Sequence, residues 1–212
     1  KKYKKNLMLY INKNKYIIDK LNLSTDIELQ NLECAIACCL ALDIEEKKIV
    51  KVLHNIKNPP GRLQKFYYKK KNCKIIVDYA HTPEALKKVL LSLVSNNKKP
   101  VLLFGCGGDR DKGKRKKMAI IAKDNSSRVY ITDDNPRNED PTKIRKEILR
   151  YCTGGIEVPG RKKAIIKALK DLNKNETLII AGKGHEKIQI LKNRVINLND
   201  AEIVKNIFKN EL

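Results

Sequence analysis

Val101-Leu102-Leu103-Phe104-Gly105-Cys106-Gly107-Gly108-Asp109-Arg110-Asp111-Lys112-Gly113-Lys114-Arg115 runs from four apolar residues into glycine and charge, then into a helical pattern. The apolar run reads as a buried strand, and the spacing over 115–123 as the helix that follows it. The same alternation repeats on both sides. Strands are expected at 74–79, 128–132, 156–158 and 177–181, with helices at 83–95, 141–151, 161–172 and 200–208 and an irregular hairpin at 187–198. Alternation of this length predicts an α/β domain whose largely parallel sheet carries helices on both faces. Ligands in such sheets sit at the carboxyl ends of the strands. The polar clusters 78–81, 105–114, 133–137 and 182–186 each follow a strand directly, so they are expected to converge on one edge.

Upstream, 6–11 and 16–19 are short apolar runs joined by Asn12-Lys13-Asn14-Lys15, a hairpin pattern. Ser24, Thr25 and Asp26 offer caps for a helix carrying Leu29, Leu32, Ala35, Ile36, Cys39 and Leu40, and a second helix is expected over 45–56. Asn58-Pro59-Pro60-Gly61 cannot continue a helix, which places a domain boundary there: 1–58 as the tail of one domain, 59–212 as another. Because the chain opens on Lys1 with a strand already under way, it is expected to begin inside a larger protein.

The 212 residues are 42% hydrophobic and 33% charged, enough apolar content for a core. The formal net charge of +22 suits nucleic acid, an anionic membrane surface or phosphorylated small molecules. Its lysines are spread along the chain rather than gathered in an aromatic-interleaved stripe, so neither nucleic acid nor membrane is the expected partner. No C-x-x-C pair occurs among Cys34, Cys38, Cys39, Cys73, Cys106 and Cys152, which predicts reduced thiols and no zinc site. No run reaches the ~20 apolar residues of a membrane span and no signal-peptide layout is present, so the cytoplasm is the expected compartment.

Gly108 to Lys114 fits G-x-x-x-x-G-K, but a P-loop continues with Ser or Thr to hold Mg²⁺, and Arg115 stands there. The P-loop reading is rejected, leaving amides at a helix start as an anion site and Arg110 as a fork for carboxylate or phosphate. Asp133-Asp134-Asn135-Pro136-Arg137 can recognise a zwitterion or can simply be a capped turn, the better reading if it stood alone. His81 and His185 stand equally open between ligand contact and backbone-satisfied loop residue, while His54 reads as structural. No nucleophile triad or metal-ligand pattern rises above these.

Taken together, Gly61-Arg62, Val77-Asp78-Tyr79-Ala80-His81-Thr82-Pro83, the 105–115 segment, Thr132-Asp133-Asp134-Asn135-Pro136-Arg137 and Ala181-Gly182-Lys183-Gly184-His185-Glu186 resemble the Mur ligases, specifically the branch that adds meso-diaminopimelate. The resemblance covers about 21–212. It implies a Rossmann-like C-terminal domain that binds the incoming amino acid, preceded by the end of a central ATP-binding domain whose P-loop is not in these residues. It further implies an ATP-dependent carboxylate–amine ligase in which ATP phosphorylates the carboxylate of a UDP-muramoyl dipeptide and the amine of meso-diaminopimelate attacks the acyl phosphate. Carried over residue by residue, Arg110, Asp134, Asn135, Pro136, Arg137, Gly182 and Glu186 match the diaminopimelate set, and Asn31, Arg62, Asp78 and His81 the ATP side. The family's G-x-F-N ahead of Asn31 is degraded here to Asp26-Ile27-Glu28. No catalytic residue or metal ligand is assigned to this chain, Mg²⁺ being expected on the rest of the central domain. The chain alone is expected to be inactive, and the enzyme monomeric.

A lysine-adding relative and a folylpolyglutamate-type ligase share the implied fold; Arg137 argues against lysine, which has no distal carboxylate to pair with it. From another class, a basic nucleic-acid-binding α/β module would need clustered Lys/Arg with exposed aromatics, and aromatic content is only 5%.

Overall fold

The computed structural model of the chain describes residues 7–18, 21, 23, 25–95 and 97–210. The expectations placed on Asn6, Asp19 and Ser24 fall outside the described residues. Two compact units divide the chain, Lys1–Asn58 and Pro59–Leu212.

In the first unit, β1 (Leu7–Ile11) pairs antiparallel with β2 (Asn14–Ile18) in the register Ile11↔Asn14. The turn is therefore the two residues Asn12-Lys13, shorter than the four-residue link expected, and Asn12 takes the left-handed φ of 51° that such a turn requires. Thr25 caps α1 (Asp26–Ala41): its hydroxyl accepts from the Glu28 amide while the Glu28 carboxylate takes the Thr25 amide. Helix α2 (Glu46–Val52) loosens into a 3₁₀ turn over Leu53–Asn55, so the expected helix over 45–56 is regular only in its first part. Ile11, Ile18, Leu32, Ile36, Ile49 and Leu53 form this unit's core. Glu46 ties α2 to the hairpin by accepting from Asn12, Asn14 and Tyr16.

The second unit is a six-stranded sheet of order β3-β4-β8-β5-β6-β7. Its strands are β3 (Gln64–Tyr68), β4 (Cys73–Asp78), β5 (Val101–Phe104), β6 (Arg128–Ile131), β7 (Ile156–Glu157) and β8 (Thr177–Ala181). All neighbours run parallel except β3, an antiparallel edge that pairs with β4. β3 was not anticipated: alternation in Gln-Lys-Phe-Tyr-Tyr is present but flanked by lysines, and only Phe66 and Tyr68 turn toward the core. Beyond the sheet, β9 (Ile188–Leu191) and β10 (Arg194–Asn197) form a two-stranded hairpin, regular rather than irregular.

Central strands are apolar on both faces, so they read as continuous buried runs: Ile75, Ile76 and Val77, then Val101 through Phe104, then Leu178 through Ala181. One face packs on α6 (Arg161–Lys170) and α7 (Asp200–Asn210) through Ile165, Ala168, Leu169, Ala201 and Val204. The remaining helices α3 (Pro83–Ser92), α4 (Gly113–Asn125) and α5 (Pro141–Leu149) pack side by side, α4 and α5 against β6. Several helices end earlier than periodicity suggested: α3 stops at Ser92, where the chain turns through Asn97 (φ 59°) and a Ser95–Lys98 bridge. No helix among the described residues is long and apolar enough to cross a membrane.

Candidate active site

Because β4, β5, β6 and β8 are parallel, the turns leaving their carboxyl ends meet, and they line one cleft of about 550 Å³. Arg110, Asp134, Asn135, Arg137, Gly182, Glu186 and His81 all border it. Pro136 does not; its carbonyl instead fills the space where a side chain on Gly108 would stand. Asn31 lies on α1 of the other unit.

Within the cleft, charges divide into those already engaged and those left open. Asp133 is engaged: Arg145 and the Gly160 amide take its two oxygens, so it anchors the turn. Among the described residues the Asp134 carboxylate accepts only from the Asn135 amide (2.6 Å), through one oxygen. The other oxygen lies against Gly182, where a Cβ would approach it to 2.9 Å at a backbone φ of 111°, so only glycine fits. Arg137 is held at φ 51°, strained for a side-chain-bearing residue. Its amide donates to Ile190 O and its Nη1 to Gly108 O (2.9 Å) and Asn135 O (3.3 Å). Gly107 makes room, since a Cβ there would stand 2.9 Å from Nη1. Among the described residues no carboxylate pairs with Arg137 or with the exposed Arg110, so both forks remain available to an anionic ligand.

Asn135 organises rather than presents. It is 4% exposed; its Oδ1 accepts from Lys183 Nζ (3.0 Å) and the Ile190 amide (3.0 Å), and its Nδ2 donates to Glu186 Oε2 (2.9 Å). Burial alone would raise the Glu186 pKa, but hydrogen bonds from Lys183 and Asn135 and the charges of Lys183 and Arg161 outweigh it and hold the carboxyl below its ordinary value. Glu186 is thus a fixed anion in the same cleft as the arginines.

Asp78, matched by resemblance to the nucleotide side, is 6% exposed and does not border this cleft; its oxygens accept the Leu63 and Ala80 amides (2.8 Å each). The helix-start amides of α4 are partly taken, because Asp111 accepts from Gly113 N (2.8 Å). Arg115, the residue that excluded a P-loop, is 1% exposed between Glu139 (2.8 Å) and Glu147 (2.7 Å), a pillar joining α4 to α5.

At the cleft's rim Arg62 lies over the Tyr79 ring at 4.7 Å, and Tyr79 meets His81 and His185 at centroid distances of 4.6 and 5.1 Å. His81 Nδ1–H donates to Tyr79 O (2.9 Å), so the backbone-satisfied reading of His81 holds while its ring still borders the cleft. Sequence reasoning missed Tyr79, Lys183 and Arg161. Arg161, fully buried, clamps Asp200 with two bonds (2.8 and 2.7 Å) and donates to Ala181 O (2.9 Å), tying α6 and α7 to the end of β8. Nothing in the identity of a lysine or arginine signals such burial.

Residues 61–184 match the family model described as "Mur ligase, glutamate ligase domain". The chain is 40% identical over 188 residues to the UDP-N-acetylmuramoyl-L-alanyl-D-glutamate–2,6-diaminopimelate ligase of Buchnera aphidicola subsp. Schizaphis graminum, a match covering 87% of this chain and 38% of that protein. The correspondingly named ligase of Anaplasma marginale is 40% identical over 181 residues, covering 84% and 37%. A solved structure of a ligase of that name superposes with a TM-score of 0.69 at 30% identity, over 96% of this chain and 42% of that one. Folylpolyglutamate synthase from Thermotoga maritima shares the fold with a TM-score of 0.61 at 20% identity. The chain thus spans under half the length of the relatives it matches.

Proposed function

The chain belongs to the Mur ligase family, and from that premise we propose that it is the C-terminal part of the ligase that joins meso-diaminopimelate to a UDP-muramoyl dipeptide. In this reading Pro59–Leu212 is the amino-acid-binding domain and Lys1–Asn58 the end of the central ATP-binding domain. ATP, when bound, activates the dipeptide's carboxylate as an acyl phosphate. Exposed Arg62, free of a carboxylate partner among the described residues, suits a phosphate, with His81 beside it. Asp78, which holds one backbone amide on each oxygen, keeps a free acceptor site on each for a ribose hydroxyl. In this reading Mg²⁺ is held by the rest of the central domain, on which ligation itself also depends.

The chain's own contribution is to hold the amine donor. Arg137 and Arg110 suit carboxylates, while Asp134 and Glu186 suit an ammonium. A carboxylate held ionised is a weak proton acceptor, so Glu186 orients the amine rather than deprotonating it. Fixed placement of this kind lowers the barrier through orientation.

The observation that carries the reading is Arg137: a guanidinium held on strained backbone at the cleft, with no carboxylate partner among the described residues. In the complete ligase Arg137→Ala should cut kcat/KM for meso-diaminopimelate at least about tenfold, ~1.4 kcal/mol, and leave the KM for ATP unchanged. Arg137→Lys should rescue only in part, since an ammonium lacks the planar fork. An unchanged diaminopimelate dependence with a raised KM for ATP would move Arg137 to the nucleotide side and overturn the reading.

A further inference from the structure

Lys183 sits between two glycines in the turn after β8, where a lysine would be expected to reach solvent. It is instead 1% exposed. Its ammonium donates to Asn135 Oδ1 (3.0 Å), Glu186 Oε2 (2.6 Å) and Ile188 O (2.7 Å). An ammonium has three N–H donors, so this one is saturated by the protein and has none left for a ligand. Its three acceptors come from the turn after β6, the turn after β8 and the start of β9. Glu186 and Ile188 are local, while Asn135 lies 48 positions away, so the lysine adds one link between the turn after β6 and the segment that runs from β8 into β9.

The bonds converge on one carboxylate oxygen. Glu186 Oε2 receives both Lys183 Nζ and Asn135 Nδ2, while Oε1 receives no donor among the described residues. Asn135 is fixed in turn, because Lys183 and the Ile190 amide both donate to its Oδ1, which determines that Nδ2 faces Glu186. Two donors occupy the acceptor sites of Oε2 and leave Oε1 as the oxygen that can accept from a ligand. We propose that Lys183 is a positioning residue of this site, acting through Asn135 and Glu186 to aim Glu186 Oε1 at the ammonium of the amino-acid substrate. The proposal rests on the reading of Glu186 as that ammonium's acceptor.

The test uses the 212-residue chain and two readouts. Without ligand, Lys183→Met should shift the Asn135 side-chain NH₂ signals and speed hydrogen exchange of the Ile190 amide at least tenfold, while the amides of Leu178 and Leu103 in the central strands stay protected. Unchanged Asn135 signals and Ile190 exchange overturn the proposal. With meso-diaminopimelate as probe, titrated by NMR, Lys183→Met and Glu186→Gln should each weaken binding at least fivefold. In the Glu186→Gln background, Lys183→Met should add less than twofold, because residues that act through one another are non-additive. Equal effects of Lys183→Met in both backgrounds would show independent action and overturn it. A wild-type chain that does not respond to millimolar probe counts against the proposed function, while the ligand-free readout still decides the role of Lys183. Loss of the fold in both Lys183→Met and Lys183→Gln would make Lys183 a core residue alone and would also overturn the proposal.

Discussion

Asp200→Asn is the sharpest probe of how the cleft's underside is built. Asp200 and Arg161 have no exposed side-chain surface and share two short bonds. Removing one partner of such a buried pair costs roughly 3–5 kcal/mol, because the other charge is left in a low-dielectric interior. Asparagine keeps one acceptor for the guanidinium, which puts the expected loss near the lower end, about 3 kcal/mol. In a domain of this size about 2–4 °C of melting temperature goes with each kcal/mol, so the midpoint should fall by roughly 6–12 °C. Circular dichroism melts and urea titrations of the two proteins measure this, with the urea slope unchanged if only stability moves. Arg161→Met/Asp200→Leu should recover part of the loss, since no charge stays buried. Recovery should be incomplete, because the Ala181 carbonyl loses the donor Arg161 gave it. A loss under about 1 kcal/mol for Asp200→Asn at constant slope would refute the argument.

Two further outcomes follow from the ionisable groups. Glu139, lowered chiefly by its hydrogen bond from Arg115, Asp171, lowered chiefly by that from Tyr130, and Glu186 all have folded pKa values below their unfolded ones. Their contribution to stability is therefore complete above the ordinary carboxylate values of 4.5 and 3.8, and is lost as pH falls through the depressed folded values. Urea midpoints should be level from pH 7 to about 5 and drop below it; a stability maximum near pH 4 would contradict this. For the thiols, Cys34 and Cys38 are exposed, whereas burial pushes the Cys106 pKa up to about 12 and raises those of Cys73 and Cys152. Timed alkylation at pH 8, read by mass spectrometry, should mark Cys34 and Cys38 quickly and the buried three only on unfolding. Labelling of Cys106 at the rate of Cys34 would exclude the packing described.

Element type was legible in the unbroken apolar runs 101–104 and 177–181 because they are too short for helices and are bounded by Pro100, Gly105 and Gly182. Convergence of the four turns followed from parallel strands alone. Strand order did not: no local signal says that β8 lies between β4 and β5. Nor did single residues reveal which charges turn inward. Arg115, Arg145, Arg161 and Lys183 look like the surface lysines and arginines around them, and their partners Glu139, Asp133, Asp200 and Asn135 lie 12 to 48 positions away. Half of the Asp78 arrangement was hidden in the same way: the Ala80 amide is local, but the Leu63 amide lies 15 positions away.

The place of β8 also governs the order in which this domain can form on the ribosome. β4 and β5 are not neighbours; each pairs with β8, the last strand of the sheet to be synthesised. Until Thr177–Ala181 emerges, the nascent chain holds only two separate pieces, β3–β4 and β5–β6–β7, each with an open edge. Closure waits on contacts of long sequence separation, the kind that slow folding and leave strand edges exposed meanwhile. The same late strand delivers Gly182, Lys183 and Glu186, so sheet closure and assembly of the cleft are one event.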